Sequence, residues 1–253
     1  MSRWDIAQEH EKAWWGEEFS KIQLKGIITQ YSGLIPVFES KMNMTDDWKI
    51  LDVGCGPTCA SLLFRKGEKY GIDPLMDDYA KTCVLPKGIS LMKGVGENIP
   101  FPDGFFNLVI SRNALDHMED PEKVMKEIKR VVKRGGYVIL SVYVYTPFVT
   151  GIHKFVERHV KCLREEEHPH FFTAEDIQAL CKRNGFSVVS EHHLGDPYFA
   201  KPAPKPRKIV LKELPKKVFF KLVYVPFWKA VKLCNSVLGN KWQCGDYVIF
   251  AKS

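Results

Sequence analysis

Apolar and polar positions change rhythm along this chain, and the rhythm predicts its elements. Short apolar runs near 49–53, 68–72, 89–92, 106–111 and 136–145 read as buried strands. Helical spacing falls between them, near 58–66, 75–82 and 121–133. The last is opened by Asp120-Pro121, an N-cap residue followed by proline at the first helical position, and Val124, Ile128, Val131 and Val132 repeat along it before Gly135-Gly136. Alternating strands and helices with strands this apolar imply a mostly parallel sheet covered on both faces. The rhythm loosens over 146–172, an irregular His-rich connection. It returns with Thr173 capping a helix through "AEDIQALCKRN" that ends at Gly185. "FSVVSEHH" and the C-terminal "DYVIFAKS" read as two more strands, with about fifty Pro- and Lys-rich residues between them.

These patterns divide the chain into an amphipathic helical cap (1–47), a central α/β unit (48–194 with 243–253), and an insertion (195–242). Trp4, Trp14 and Trp15 in the cap either cover a cleft or pack on the sheet, and packing is the commoner use of such residues.

The chemistry concentrates in "KILDVGCGPTCASLLFRKGEKYGIDP". A strand breaks into glycines at Gly54 and Gly56, and the next strand ends on Asp73, an arrangement that holds a nucleoside. A dinucleotide loop, G-x-G-x-x-G, needs glycine where Cys59 stands. A phosphate-binding G-x-x-x-x-G-K-[ST] loop has no match, and an iron–sulfur C-x-x-x-C-x-x-C run fails at Leu62.

"LDVGCGP" resembles the first motif of the class I S-adenosylmethionine (SAM)-dependent methyltransferases, and "GIDP" their next, acidic motif. "GENIPFPDGFFNLVISRNALDHMEDPEKVMKEIKRVVKRGGYVIL" resembles the run from the third to the fifth strand in the small-molecule (type 11-like) branch of that family. The resemblance implies a doubly wound α/β fold, a Rossmann-like, mostly parallel seven-stranded sheet with an N-terminal helical region and an insertion before the last strand. It implies SAM as cofactor, with Asp52, Gly54, Cys55, Gly56, Asp73, Pro74, Gly96, Glu97 and Asn113 around it. Asp52 would hold the cationic amino group, and Asp73 would accept from both ribose hydroxyls. The family's adenine-contacting acid is replaced by Val95, so either the backbone near Gly96 or Glu97 takes its place, or adenine is bound more weakly; Glu97 equally suits capping the following turn.

Methyl transfer from a sulfonium is an in-line displacement that needs alignment and, for a weakly acidic nucleophile, a base. The segment after the fourth strand faces the methyl group in this fold, which singles out His117 and then Asp116 as catalytic candidates; both also suit a plain turn. The segment lacks [DNS]-P-P-[FYW], and the chain lacks Pro-Cys, so adenine or amide N-methylation and cytosine C5-methylation are disfavoured against a small-molecule or lipid-linked acceptor. His153, His168, His170 and Phe171 are candidate substrate contacts. Their spacing matches no zinc pattern, so no metal is assigned.

Charge adds one distinction. Residues 201–232 hold ten Lys/Arg against Glu213 alone, more than the whole net charge of +7. Two amphipathic helices can be drawn there, opened by Pro215 and Pro226, the second with Trp228, Val231 and Val237 as its apolar face. Such helices suit a packed lid, a peripheral membrane contact, or phosphate binding; scarce arginine disfavours nucleic acid. An RNA methyltransferase and a non-catalytic SAM-binding protein remain as alternatives. Seven cysteines without a C-x-x-C pair, an N-terminal stretch too charged for a signal peptide, and no run of about 20 apolar residues fit a cytoplasmic protein, peripheral at a membrane if the basic segment binds one.

Overall fold

The computed structural model describes residues 3–15, 25–159, 168–194, 225–238 and 244–253. Its centre is a seven-stranded sheet in the order β3-β2-β1-β4-β5-β7-β6. The strands are β1 (Lys49–Val53), β2 (Glu68–Asp73), β3 (Ser90–Lys93), β4 (Phe106–Arg112), β5 (Val132–Tyr145), β6 (Ser187–His193) and β7 (Cys244–Lys252). The first five are parallel, and β7 lies antiparallel between β5 and β6. The helices are α1 (Arg3–Trp14), α2 (Ile35–Lys41), α3 (Met76–Thr82), α4 (Pro121–Val131), α5 (Pro147–His159), α6 (Ala174–Arg183) and α7 (Val225–Val237), with a further helical stretch over 25–31.

Side chains along a strand alternate between faces, so neighbouring residues feed different cores. Leu51, Val53, Val109, Val138 and Leu140 pack beneath Val124, Met125, Ile128 and Val131 of α4 and Ile177 and Leu180 of α6. Ile50, Leu108, Ile110, Ile139, Val248 and Phe250 face the opposite way, against Ile27, Tyr31 and Phe38. Phe38 is fully buried and stacks on Phe250 at 5.2 Å. Burial of that ring contributes about 2–3 kcal/mol and ties the N-terminal region to the sheet. The expected caps form: Asp120 accepts from Lys123 N at 3.0 Å, and Thr173 and Asp176 make a reciprocal capping box.

Four expectations need correction. The helix expected over 58–66 is only a 3₁₀ turn, Ala60–Leu63, between Cys59 (φ 47°) and Phe64, which turns extended and buries its ring. The connection over 146–172 is not irregular throughout, because α5 occupies Pro147–His159. Pro147 opens that helix, Thr146 Oγ1 accepts from Val149 N, and Val149, Thr150, His153 and Val156 form its buried stripe. Strand β5 starts at Val132 rather than 136 and runs through the glycine pair. In α7, Val231 is buried as drawn, but Val237 points outward, 79% exposed. The helix expected at Pro215 and most of the basic segment lie outside the described residues. Among the described residues, no helix is long and apolar enough to cross a membrane.

Candidate active site

From β1 the chain winds toward β2 and β3; from β4 it winds the other way, toward β5. The carboxyl ends of β1 and β4 therefore part, and a cleft opens at this switch point. Its empty volume, open mouth included, is about 790 Å³, within the range of small-molecule sites.

One side of the cleft is the loop between β1 and β2. Gly54 and Gly56 adopt positive φ (67° and 53°), and a Cβ on Gly54 would meet Ala114 Cβ at 2.4 Å. Glycine is thus required by both backbone angle and space. Cys59, where a dinucleotide loop has its third glycine, also adopts positive φ. Asp52 is 1% exposed; its Oδ2 accepts from Ser61 N at 2.9 Å, while Oδ1 has no partner in the protein. Asp73 accepts from Gly56 N and Leu75 N, each at 2.9 Å, one bond per oxygen. Burial outweighs these bonds and pushes both carboxyls up to about 6. Pro74, Cys55, Gly96 and Asn113 line the same cleft. Glu97 lines it too, but its Oε1 accepts from Glu119 N (2.9 Å) and Asp120 N (3.2 Å), so this carboxylate fixes the entry to α4.

The other side is built from distant segments. His117 lines the cleft from the 3₁₀ turn Leu115–His117. Its Nδ1 stands 3.5 Å from Glu11 Oε1 and its Nε2 3.9 Å from Asp116 Oδ2. Asp116 is 3% exposed and meets His168 Nδ1 at 2.9 Å. Burial alone would raise the Asp116 carboxyl, yet His117 and His168 hold it down at about 2. Helix α1 covers this side with Trp4, Gln8, Glu11 and Trp15, three or four residues apart on one face. The Trp15 indole N–H donates to Glu11 Oε2 at 2.7 Å, its ring meets the edge of Tyr79, and Lys12 pairs with Asp78 at 3.0 Å. Trp4 and Trp15 both line the cleft, and Trp15 also packs on the Cys55, Cys59, Met76 and Tyr79 cluster; the Trp14 side chain lies outside the described residues.

The other candidate substrate residues stand apart from the cleft. His153 is buried, stacked on Phe171 at 4.0 Å, and burial pushes its imidazole down to about 4. His170 is spent on Met118 O at 2.9 Å and, with Phe171, borders a surface groove between α4, α5 and α6. Missed altogether in the sequence is a buried polar cluster on the α2 face of the sheet. The Tyr31 hydroxyl reaches Asp246 Oδ2 (2.8 Å) and Ser141, and Ser141 reaches Asp246 and Asn113 Oδ1 (3.2 Å). Asp246 is fully buried and raised mainly by that burial; Arg112, at the cleft wall, opposes the rise. Nothing local announces this cluster, since its members lie up to 215 residues apart.

Residues 51–140 match the family of the methyltransferase domain. Over those residues the chain is similar to the class I SAM-dependent methyltransferases. The methyltransferase match covers the loop, both acidic strand ends and the His117 turn. An uncharacterized methyltransferase, YcgJ of Bacillus subtilis, is 30% identical over 143 residues, covering 54% of this chain and 56% of the relative. The chain spans about half the length of the first curated relatives it matches. The solved YcgJ structure superposes with a TM-score of 0.58 at 17% identity, covering 88% of this chain and 97% of that one. The [4+2]-cyclase SpnF superposes at 0.54 and 17% identity, over 87% of this chain and 80% of the other. A phosphoethanolamine N-methyltransferase of Haemonchus contortus, solved with SAM, gives 0.54 at 14% identity, over 93% and 58%. These likenesses describe the fold; sheet and cleft alone do not fix a reaction.

Proposed function

We propose that this methyltransferase transfers a methyl group from SAM to a small-molecule or lipid-linked acceptor by in-line displacement. The observation that carries the reading is the buried Oδ1 of Asp52, unpartnered at the end of β1 beside a glycine loop and Asp73. A buried carboxylate oxygen without a partner costs free energy unless a ligand completes it. The cationic amino group of SAM fits that need. Asp73 keeps one acceptor position on each oxygen, which fits a ribose diol. Gly94, Val95 and Gly96 wall the cleft without a free carboxylate, so backbone rather than an acid faces the adenine. SAM, when bound, supplies an electrophilic methyl on a sulfonium centre. The protein orients the acceptor, excludes water beneath α1, and receives the acceptor's proton at His117, whose ring lines the cleft. Calorimetric titration with SAM and its demethylated product, S-adenosylhomocysteine, tests the reading. Low-micromolar binding weakened at least tenfold in Asp73→Ala supports it, and no binding by the wild type removes it.

Helix α7 favours an acceptor met at a lipid surface. Lys229, Leu233 and Val237 follow one another at spacing four along its outer row, with Leu233 67% exposed. Phe155 of the adjacent α5 is exposed as well. Apolar side chains bordered by lysines, following eight Lys/Arg over residues 201–221, match an anionic membrane interface. The full chain should sediment with phosphatidylserine-containing vesicles and not with neutral ones, and Leu233→Asp with Val237→Asp should cut binding at least tenfold. Failure to sediment with anionic vesicles would exclude the surface contact.

A further inference from the structure

A row of polar side chains follows the cleft end of the central strands on the α2 face of the sheet. Ile50, Ile110, Ile139 and Val248 pack on that face, and alternation puts Asp52, Arg112, Ser141 and Asp246, each two positions away, on the same side. Asp52 pairs with Ile110 and Arg112 with Ser141, so Arg112 stands on the neighbouring strand, just beyond Asp52. Its charge acts on both flanking acids, opposing the rise that burial gives Asp52 and Asp246. The acids differ in what they still lack. Asp246 accepts from Gln30 Nε2 (2.9 Å), Tyr31 and Ser141, which leaves neither oxygen empty. Asp52 accepts from Ser61 N on one oxygen and keeps the other unpartnered. Arg112 is only partly exposed at the cleft wall, and among the described residues its guanidinium makes no hydrogen bond or ion pair. Two adjacent strand ends thus offer a ligand opposite chemistry: a carboxylate oxygen short of a cation, and a planar set of N–H donors short of an anion.

We infer that Arg112 binds the carboxylate of the cofactor's amino acid end while Asp52 takes the ammonium on the same carbon atom. The role rests on the SAM site proposed above. Its physical basis is complementarity to a zwitterion, each of whose charges meets its opposite on one of two neighbouring strands. A guanidinium matches the two oxygens of a carboxylate with parallel N–H bonds, and such bonds strengthen where water is partly excluded, as at this wall. A guanidinium shielded from water and left unpaired costs free energy that a carboxylate offsets. A second use of Arg112, merely balancing the charge of Asp52, would act through the ammonium and not the carboxylate. The two uses separate in a ligand that keeps the ammonium and lacks the carboxylate.

Calorimetric titration of the full-length protein with S-adenosylhomocysteine and with its decarboxylated analogue makes that separation without turnover. The wild type should prefer S-adenosylhomocysteine by about tenfold or more, the worth of one charge-assisted bond. Arg112→Met should lose that preference, binding both ligands within about twofold of one another and the analogue as well as the wild type does. If thermal melting shows that Arg112→Met does not fold, Arg112→Gln should show the same loss of preference. A wild type indifferent to the carboxylate, a preference unchanged in either variant, or an equal loss of affinity for both ligands would overturn the inference. The reading it rests on is judged separately. Tight S-adenosylhomocysteine binding with the preference unchanged leaves the methyl-transfer reading standing and removes Arg112 alone, whereas a wild type that binds neither ligand removes the SAM site itself.

Discussion

The two sides of the cleft are made in opposite ways. The loop side, from Asp52 to Asp73, is one stretch of 22 residues whose strand ends and glycines set its shape. The His117 side joins α1, the turn after β4 and the loop before α6, with Asp116 and His168 separated by 52 positions. The carboxyls differ in the same sense. Asp52 and Asp73 are raised to about 6 because burial outweighs their backbone bonds, whereas Asp116 is lowered to about 2 because two histidines outweigh its burial. The loop-side acids are left open to a ligand, whereas Asp116 has its histidine partners within the protein.

The largest effect expected from breaking this contrast is on the loop side. Gly54→Ala places a Cβ into Ala114 at a backbone angle that L side chains avoid. We expect a loss of several kcal/mol, enough to unfold the protein or abolish S-adenosylhomocysteine binding, read by thermal melting and calorimetry. An unchanged melting temperature would show that the loop relaxes freely.

A smaller effect sharpens the contrast through pH. Groups whose folded pKa is raised contribute stability that is present below their unfolded value near 4 and lost as pH rises through about 6; Asp52 and Asp73 are such groups. Asp116 runs the other way: its contribution is present above about 4 and lost as pH falls through about 2. Each shift is worth on the order of 3 kcal/mol. A cationic ligand favours the ionised Asp52, so S-adenosylhomocysteine affinity should fall several-fold from pH 7.5 to pH 5. Calorimetry at the two values checks it; affinity that holds or rises at pH 5 would remove Asp52 as the partner of the amino group.

Much of the fold was legible because its signals are local. The strand starts at β1, β2 and β4, the Asp120 and Thr173 caps, and the Gly54–Gly56 turn each depend on residues within a few positions. The missed helix α5 had such a signal, Thr146-Pro147 with an apolar stripe, hidden by the histidines and aromatics around it. The over-drawn helix at 58–66 failed for a tertiary reason: Phe64 leaves the helical path to fill the core against α2.

The sequence by itself determined the strand–helix alternation, the acidic strand ends and the glycine loop, because backbone angle and burial pattern are properties of short segments. Only the tertiary structure decided that Glu97 holds the entry to α4, that Trp4 and Trp15 face the cleft, and that His168 rather than His153 reaches Asp116. Those outcomes depend on which side chain comes nearest in space, and a hydrogen bond between residues 52 positions apart leaves no periodicity in the chain.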